Sequence, residues 1–353
     1  MPAEITTLSG GALLYTNLSP SQTAKAIGAV QALGSGTPSQ VSYAAGTPLL
    51  VTDLQSTDTT LNVALGPSAT GDQAIVLGNS TTTSVDITFA PTTQKYVIVG
   101  NDAGDRFNLG AQNTTLITGS GSDQIFMTGG SLKLNEGGGQ VFAVVSGNST
   151  INQTGTGNLS IDVLNGTNLS LGTTNGNDTV QAIGSATVSG GSGAFVFYGA
   201  NGSSSTVNVG QGNETLYGGS GSSAVNTFNG ATDTNPLSVD VMYGGGTGAT
   251  NYFTGGAGSD SMVSGAYNGG SATDVFTFIN QGAGAGVTAS DTIVGFGAND
   301  TIDLQGYSKA SILNWLTQGG NTDIYLSDGT FIRLANVVLN ENTAITTGVV
   351  KFT

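Results

Sequence analysis

The sequence predicts an all-β fold, a parallel β-solenoid of the β-roll type, and two observations predict it. First, a nine-residue unit of glycines, an acid and a short apolar strand recurs, most clearly at Thr118–Phe126, Gly255–Val263 and Gly269–Thr277. Second, the copies keep register, since Asp105 and Asp123 are 18 residues apart, which is two units. One coil of such a solenoid takes two units, so this offset places one acid directly above the other.

The same register continues along the chain. Asp178 and Glu214 are separated by a whole number of coils. Ser223 follows one unit after Glu214 and stands where the acid is expected. Asp291 and Asp300 are one unit apart, and each precedes Thr-Ile. Random Gly-Asp neighbours would not hold this spacing, so the repeat indicates stacked coils.

Composition excludes several classes of function. The 353 residues include 22 acids and 7 bases, a net charge of −15. This balance argues against nucleic-acid partners and anionic membranes, which need clustered Lys or Arg, and favours divalent cations. The chain has no Cys and no His. Disulfides, thiolate catalysis, His-ligated zinc and Ser-His-Asp chemistry are therefore excluded, and we expect no enzyme.

Targeting features are also sparse. Residues Met1–Leu14 contain no Lys or Arg and no sustained apolar core, so we expect no Sec-type signal peptide. No apolar run approaches the roughly 20 residues that span a bilayer, so we expect no membrane insertion.

The first of three predicted regions, residues 1–95, combines a short helix with short β-strands. The helix is predicted after Pro20 and before Gly34-Ser35-Gly36. Its apolar side chains share one face: Ala26, Ile27, Val30 and Leu33. This region is a possible assembly segment.

The second region, residues 96–306, is the predicted solenoid. Between Gly139 and Leu171 the turns lack acids, but Ile151, Ile161 and Leu171 recur at a regular spacing. We interpret these coils as keeping the apolar ladder without a metal. Thr and Asn side chains can satisfy such turns through hydrogen bonds.

The third region, residues 307–353, is predicted to cover the open end of the solenoid. A helix is expected over Ser308–Leu316, ended by Gly319-Gly320. Asp323–Leu326 and Phe331–Leu334 are expected to form a hairpin.

The repeat suggests calcium sites. Ca²⁺ takes about 6 to 8 oxygen ligands, and glycine turns can aim backbone carbonyls at an ion while the Asp supplies charge. Two stacked turns make one site, so we pair Asp105 with Asp123 and Asp260 with Asp274. The alternative is that these acids only cap turns. Other acids, such as Asp240, are expected to be solvated, as are Asp162 and Asp233. The candidate metal ligands are the motif acids and glycines: Asp102, Asp105, Gly119, Gly121, Asp123, Asp178, Glu214, Gly256, Gly258, Asp260, Gly270, Asp274, Asp291 and Asp300.

These nonapeptides, followed by Asp291–Phe296 and Asn299–Leu304, resemble the repeats-in-toxin (RTX, hemolysin-type) calcium-binding family. The resemblance covers roughly residues 96–306 and is strongest from Gly210 onward. It implies a calcium-dependent β-roll exported by a bacterial type I secretion system, which reads an uncleaved C-terminal signal. Several copies lack the acid and the spacing slips, so fewer ions than in a full array are expected. The family's proteases carry a His-rich zinc motif that this chain lacks, so protease activity is not implied.

The composition also resembles bacterial surface-layer and matrix proteins, being rich in Thr, Ser, Asn, Gly and Ala. We therefore expect a secreted structural protein that self-assembles into a surface layer, biofilm matrix or filament outside the cell. Calcium would reduce the self-repulsion of the −15 charge. Two alternatives stay open. One is a secreted adhesin that binds a surface or a cell-surface polysaccharide, and the other is an RTX-type effector or carbohydrate-active enzyme.

Overall fold

A computed structural model of the protein describes seven short strands near the N-terminus and residues 95–100, 102–153, 155–174, 176–230, 235–266, 271–280 and 289–353. The predicted helix after Pro20 and the predicted ligand Gly270 lie outside these residues, so both stay predictions.

The described residues form short strands almost throughout. The strands up to residue 145 are β1 (Ala3–Thr6), β2 (Ala12–Tyr15), β3 (Ser42–Tyr43), β4 (Thr47–Pro48), β5 (Thr60–Leu65), β6 (Gln73–Val76), β7 (Ser84–Phe89), β8 (Lys95–Val99), β9 (Arg106–Leu109), β10 (Asn113–Ile117), β11 (Asp123–Met127), β12 (Leu132–Glu136) and β13 (Val141–Val145). The strands from there to residue 254 are β14 (Asn148–Gln153), β15 (Leu159–Val163), β16 (Thr167–Leu171), β17 (Asp178–Ala182), β18 (Ala186–Ser189), β19 (Phe195–Tyr198), β20 (Ser204–Asn208), β21 (Thr215–Tyr217), β22 (Val225–Asn229), β23 (Val241–Tyr243) and β24 (Thr250–Thr254). The remaining strands are β25 (Ser261–Val263), β26 (Thr273–Ile279), β27 (Ser290–Val294), β28 (Thr301–Gln305), β29 (Ile312–Gln318), β30 (Asn321–Leu326), β31 (Phe331–Ala335) and β32 (Val350–Phe352).

The chain divides into two compact units. Unit 1 comprises Met1–Asp162 and Thr167–Gly176, and unit 2 comprises Val163–Gly166 and Asn177–Thr353. The predicted domain limits at residues 95 and 306 stay a prediction.

Unit 1 contains two parallel sheets built from alternate strands. Sheet A consists of β5, β7, β9, β11 and β13, and sheet B of β6, β8, β10, β12, β14 and β16. Phe107 pairs with Ile125 in sheet A, which confirms the predicted stacking of residues two units apart. Ahead of the parallel strands, β1 pairs antiparallel with β2, and β3 with β4.

Unit 2 repeats this arrangement. Sheet C orders its parallel strands as β17, β19, β21, β23, β25, β27 and β31, and sheet D orders its strands as β18, β20, β22, β24, β26, β28 and β32. Consecutive strands therefore alternate between two sheets, and each coil adds one strand to each. The predicted all-β parallel solenoid is confirmed.

The core is a set of stacked apolar side chains, because alternate residues of each strand point inward. In sheet D the fully buried Phe253 and Phe276 stack with ring centroids 4.9 Å apart. Ile151, Ile161 and Leu171 are also buried, which confirms the predicted apolar ladder between residues 139 and 171. Burying one such side chain contributes about 1.5–3 kcal/mol, so each coil adds a similar increment of stability.

The C-terminal segment continues both sheets of unit 2. β31 pairs with β27 and β32 pairs with β28. The predicted hairpin is confirmed, since β30 pairs antiparallel with β31. Arg333 binds Asp323 across this hairpin through two hydrogen bonds of 2.8 and 2.9 Å.

The predicted helix over Ser308–Leu316 is wrong. Only Lys309–Ser311 forms a 3₁₀ turn, and β29 (Ile312–Gln318) pairs antiparallel with β30. Gly319 and Gly320 have φ values of 60° and 84°, as required by a two-residue hairpin turn. The same Gly-Gly pair that suggested a helix end therefore connects two strands.

The α-helix of the described C-terminal segment is α1 (Glu341–Thr346). Its N-cap is Asn340, whose side-chain oxygen accepts a hydrogen bond from the Thr343 backbone N–H. Asn at this position satisfies a backbone donor that the first turn leaves without a partner. Within the described part of the chain, no helix has the length and apolar character to cross a bilayer.

Candidate metal centre

Four buried acids of unit 2 form one row at the starts of strands in sheet C. We call this row the acidic ladder: Glu214, Asp240, Asp260 and Asp291. The carboxylate of each Asp reaches back to the preceding coil. Asp240 Oδ1 accepts a hydrogen bond from the Glu214 N–H at 2.8 Å, although the two residues are 26 apart in sequence. Asp260 Oδ1 accepts one from the Asp240 N–H at 3.1 Å. The ladder thus joins successive coils at the point where each strand begins.

Unit 1 contains the same contact between the acids that begin successive coils. Asp123 Oδ1 accepts a hydrogen bond from the Asp105 N–H at 2.9 Å, and both residues are buried. Asp102 has a different role. Its Oδ1 accepts hydrogen bonds from the N–H of Ser120 at 3.0 Å and the hydroxyl of Ser120 at 3.2 Å. Asp102 therefore caps a turn on the partly exposed surface, which is the alternative that the sequence left open.

The motif glycines let the turns stack closely. A Cβ at Gly121 would lie 2.1 Å from the carbonyl oxygen of Ala103. Gly258 has φ of 105°, and a Cβ there would lie 2.3 Å from the Ser238 carbonyl oxygen. The other two described motif glycines belong to the same turns. Gly119 is buried, and the Gly256 N–H donates to Asp260 Oδ2 at 3.3 Å.

The surroundings of one buried carboxylate oxygen show whether a metal ion would fit in the acidic ladder. Oδ2 of Asp291 has no hydrogen-bond partner among the described residues. It borders a cavity of about 20 Å³, also lined by Gly255, Gly256, Ala289 and Thr330. A Cβ at Gly255 would lie 2.9 Å from this oxygen, so glycine keeps the space open. The volume suits one water molecule or one ion, and the donor is the hard oxygen that Ca²⁺ prefers.

Burial disfavours charge on these acids. Desolvation raises the pKa of Asp123 to about 8, with a further increase from the neighbouring Asp105 carboxylate. Desolvation also raises the pKa of Asp291 well above its ordinary value, and the charge of Asp260 adds to it. Without a cation, both carboxyls therefore hold protons more tightly than exposed acids do.

The acids of the acidic ladder lie in a part of the sequence without basic residues. Residues 134–308 contain no Lys and no Arg. Ion pairs in the described structure join Arg106 to Asp86 at 4.0 Å and Arg333 to Asp323 at 2.8 Å, and neither acid belongs to the ladder. Buried carboxylates need protons or cations, so a soluble cation is the available source of positive charge.

The side chains alone do not form a cage. Within the described part of the chain, no three acidic side chains converge as a group that could hold a metal ion. Further oxygens would therefore have to come from backbone carbonyls of the glycine turns. Such a site carries little charge and binds calcium weakly.

Sheet D carries a second row, which we call the amide ladder: Asn226, Asn251, Asp274 and Asp300. The Asn226 amide donates to Asn251 Oδ1 at 2.8 Å, and the Asn251 amide donates to Asp274 Oδ1 at 2.5 Å. The N–H of Asp274 donates to Asp300 Oδ1 at 3.2 Å. In sheet D, Asn side chains thus link neighbouring coils, whereas in sheet C acidic side chains do so.

Protein donors satisfy the acids of the amide ladder. Asp274 Oδ2 accepts hydrogen bonds from the Ser264 hydroxyl at 2.5 Å and the Gly265 N–H at 2.9 Å. Asp300 Oδ2 accepts one from the Gly297 N–H at 2.7 Å. Since every carboxylate oxygen of these two acids has a protein donor, the amide ladder holds its coils without requiring an ion.

The structure groups the predicted ligands differently from the sequence. Asp260 and Asp274, predicted as one site, lie in different sheets and contact different neighbours. Asp178 and Glu214 stand at equivalent strand starts, with one strand between them in sheet C. Asp291 lies in sheet C, whereas Asp300 directly precedes β28 of sheet D. This is expected for acids one unit apart, because consecutive units alternate between the two sheets.

Sequence patterns missed three members of the ladders. Asp240 was expected to be solvated but is fully buried. No glycine precedes it directly, and its coil is longer than two units, so it lacked the signals that marked the other acids. Ser223, predicted in the acid's place, is exposed, and Asn226 occupies that place three residues later. Asn251 also lacked a signal, because the nine-residue motif carries an acid rather than Asn at this place.

Comparison with known proteins adds no family assignment. No protein-family model matches this chain, and no curated protein matches it in sequence. The likeness to the RTX family therefore consists of the nonapeptides together with the parallel solenoid.

Proposed function

We propose that this protein is a secreted, calcium-binding structural protein that assembles with its own copies into a surface layer or matrix filament. The observation that carries the calcium proposal is Asp291. Its Oδ2 is buried, has no partner among the described residues and borders an ion-sized cavity. The RTX resemblance supports export by type I secretion, with calcium taken up outside the cell.

Calcium would enter beside Asp291 in unit 2, with Gly255 and Gly256 as nearby sources of carbonyl oxygens. In unit 1 the equivalent acids are Asp105 and Asp123. The ion would supply positive charge to carboxyls whose charged form burial disfavours, as at Asp123 and Asp291, and so would join neighbouring coils. With so few charged ligands, the dissociation constant should fall in the range of extracellular calcium modules, about 10⁻⁴ to 10⁻³ M.

Support for self-assembly comes from the outer face of sheet C. Tyr198, Tyr217 and Tyr243 stack along it with ring centroids 5.1 and 4.8 Å apart and nearly parallel planes. The outward residues of β19, β21, β23 and β25 are all uncharged, and Val196, Val241 and Val263 are among them. An uncharged face lets two copies of a protein with net charge −15 meet without direct repulsion.

Each such contact would be weak. Four strands at about 4.8 Å spacing, with two outward side chains each, cover only about 300 Å² per copy. Stable protein interfaces bury about 1,200 Å² or more in total. This face would therefore hold copies together only where many such contacts are repeated in a polymer. Weak contacts between acidic copies would also respond to divalent cations, because screening lowers the remaining repulsion.

Negative-stain electron microscopy of purified protein, with calcium and with EDTA, tests the proposal. Ordered polymers in calcium that disappear in EDTA are expected. Tyr217→Ser should reduce polymer formation, while Thr227→Ser on the outer face of sheet D should not. Circular dichroism on the same samples separates the two parts of the proposal. Calcium-dependent β-structure without polymers would overturn assembly alone, and identical spectra and melting in calcium and EDTA would overturn calcium binding.

The predicted adhesin is favoured by one observation, a polar groove in unit 1.

A further inference from the structure

Unit 1 has a groove on sheet B that lies away from the acids of sheet A. Its volume is about 650 Å³, within the range of small-ligand sites. Side chains from β10, β12 and β14 line it, among them Asn113, Thr115, Lys133, Asn148 and Thr150. Three strand spacings separate β8 from β14, so the groove extends for about 14 Å across the sheet.

The groove is positively charged within a strongly acidic protein. Lys133 is exposed there and makes no ion pair among the described residues. Lys95 stands on β8 of the same sheet. In the sequences of β8, β10, β12, β14 and β16 the one acid is Glu136, which is fully buried. An anion can therefore approach this face without meeting an outward carboxylate from these strands.

The groove also presents hydrogen-bond donors with fixed positions. Asn113 Oδ1 accepts hydrogen bonds from the N–H of Ser131 at 3.1 Å and its hydroxyl at 2.8 Å. Asn148 Oδ1 accepts one from Asn168 Nδ2 at 2.8 Å. Because both amide oxygens are engaged, each side chain is held so that its NH₂ group remains for a ligand. The Thr115 and Thr150 hydroxyls on either side of Lys133 can both donate and accept.

We propose that this groove binds an acidic oligosaccharide, with Lys133 contacting a uronic-acid carboxylate and the Asn and Thr side chains contacting sugar hydroxyls. The match is chemical, since one cation among amides and hydroxyls suits a ligand with one anion among many hydroxyls. Nucleic acid is a poorer match. Tyr96, the aromatic residue of the groove, is only 3% exposed and offers no ring for a base. The inference does not depend on the proposed calcium sites, which lie in other sheets.

The test is binding of the full chain, with calcium present, to a panel of short uronic-acid oligosaccharides and their carboxyl-reduced neutral counterparts. Isothermal titration of the best panel member should show binding that weakens with added salt. Lys133→Ala should weaken it by about 10- to 100-fold, the effect of losing one charge-assisted hydrogen bond. Lys133→Arg should retain most of the affinity because the charge is kept.

Lys351→Ala is the matched control, since Lys351 is also an exposed lysine on a strand but lies in unit 2. Its binding should equal that of the unmodified protein, and thermal melting should show that both Ala variants are folded. Binding to no acidic member of the panel, equal binding to neutral counterparts, or equal losses in the two Ala variants would each overturn the proposal. Tighter Lys133-dependent binding to an oligonucleotide would also overturn it.

Discussion

The backbone N–H of Asp260 donates a hydrogen bond to Oδ1 of Asp291 at 3.0 Å, although the two residues are 31 apart in sequence. One oxygen of Asp291 thus joins two coils, while the other faces the small cavity. The two oxygens of this carboxylate can therefore be tested separately.

Asp291→Asn should remove the response to calcium and leave the metal-free fold intact. The amide oxygen can still accept from Asp260, while the buried charge is lost. In EDTA the melting temperature should stay the same or rise. In calcium the stabilisation seen for the unmodified protein should disappear, as measured by thermal unfolding in both conditions.

Asp300→Asn is the matched comparison, because both oxygens of Asp300 accept hydrogen bonds from backbone N–H groups. The introduced amide would place a donor against a donor and cost about 1–3 kcal/mol with or without calcium. If Asp291→Asn responded to calcium as strongly as the unmodified protein, Asp291 would not be a calcium ligand.

Asn251→Ala should destabilise unit 2 regardless of calcium. Asn251 is fully buried, donates to Gly245 O and Asp274, and accepts from Gly245 N–H and Asn226. Losing these bonds should lower the free energy of unfolding by about 2–4 kcal/mol, measured by urea denaturation.

Asn251→Asp gives a sharper result, since it places a carboxylate against Asp274. We expect it to be less stable in EDTA than in calcium, because a cation can relieve the repulsion. Asn208→Ala, on the outer face of sheet D, should change stability by less than about 1 kcal/mol. Equal loss at the two Asn positions would show that the amide ladder has no special role.

Stability in EDTA should fall as pH rises, and the stabilisation by calcium should grow over the same interval. The pKa of Asp123 rises from 3.8 unfolded to about 8 in the folded, metal-free chain. The neutral carboxyl thus contributes stability that is complete below the unfolded pKa and is lost as pH rises through about 8. In EDTA, melting temperature should fall between about pH 4 and about pH 8. Because calcium needs the ionised acid, the difference between calcium and EDTA should widen over the same interval. A constant difference would contradict this competition between protons and calcium.

Gly121→Ala should destabilise unit 1. A Cβ at this position would lie 2.1 Å from the Ala103 carbonyl oxygen, so the stacked turns must separate. We expect a loss of more than about 1 kcal/mol in chemical denaturation. Ser122→Ala, at an exposed neighbour, should stay within about 0.5 kcal/mol. A similar small effect at Gly121 would mean that this turn relaxes easily.

The stacking of the coils could be predicted from the sequence where the motif acids keep a constant spacing. Asp105 and Asp123 keep two-unit spacing, and the structure places them one above the other, because a solenoid coil of constant length preserves side-chain position. Prediction from spacing failed where a coil is longer than two units. Asp240 falls 26 residues after Glu214, so its burial depends on pairing between β21 and β23 rather than on any local motif.

The C-terminal end shows a second limit of sequence patterns. Ile312, Trp315 and Leu316 fit a helical spacing, yet β29 pairs with β30 along its length. The Trp315 indole N–H donates to the Leu339 carbonyl at 3.0 Å, a contact with a residue distant in sequence. Tertiary pairing decided the conformation of a segment whose local preference was ambiguous.

The unequal coil lengths have a consequence for how such a chain can change. Asp105 to Asp123 takes 18 residues, Glu214 to Asp240 takes 26 and Asp260 to Asp291 takes 31, yet each pair makes the same contact. Coils longer than 18 residues thus keep the same contact between neighbouring strands. Foreign peptides spliced into the longer coils should therefore be displayed without disturbing the rest, and natural insertions there offer a route by which new surface properties can evolve.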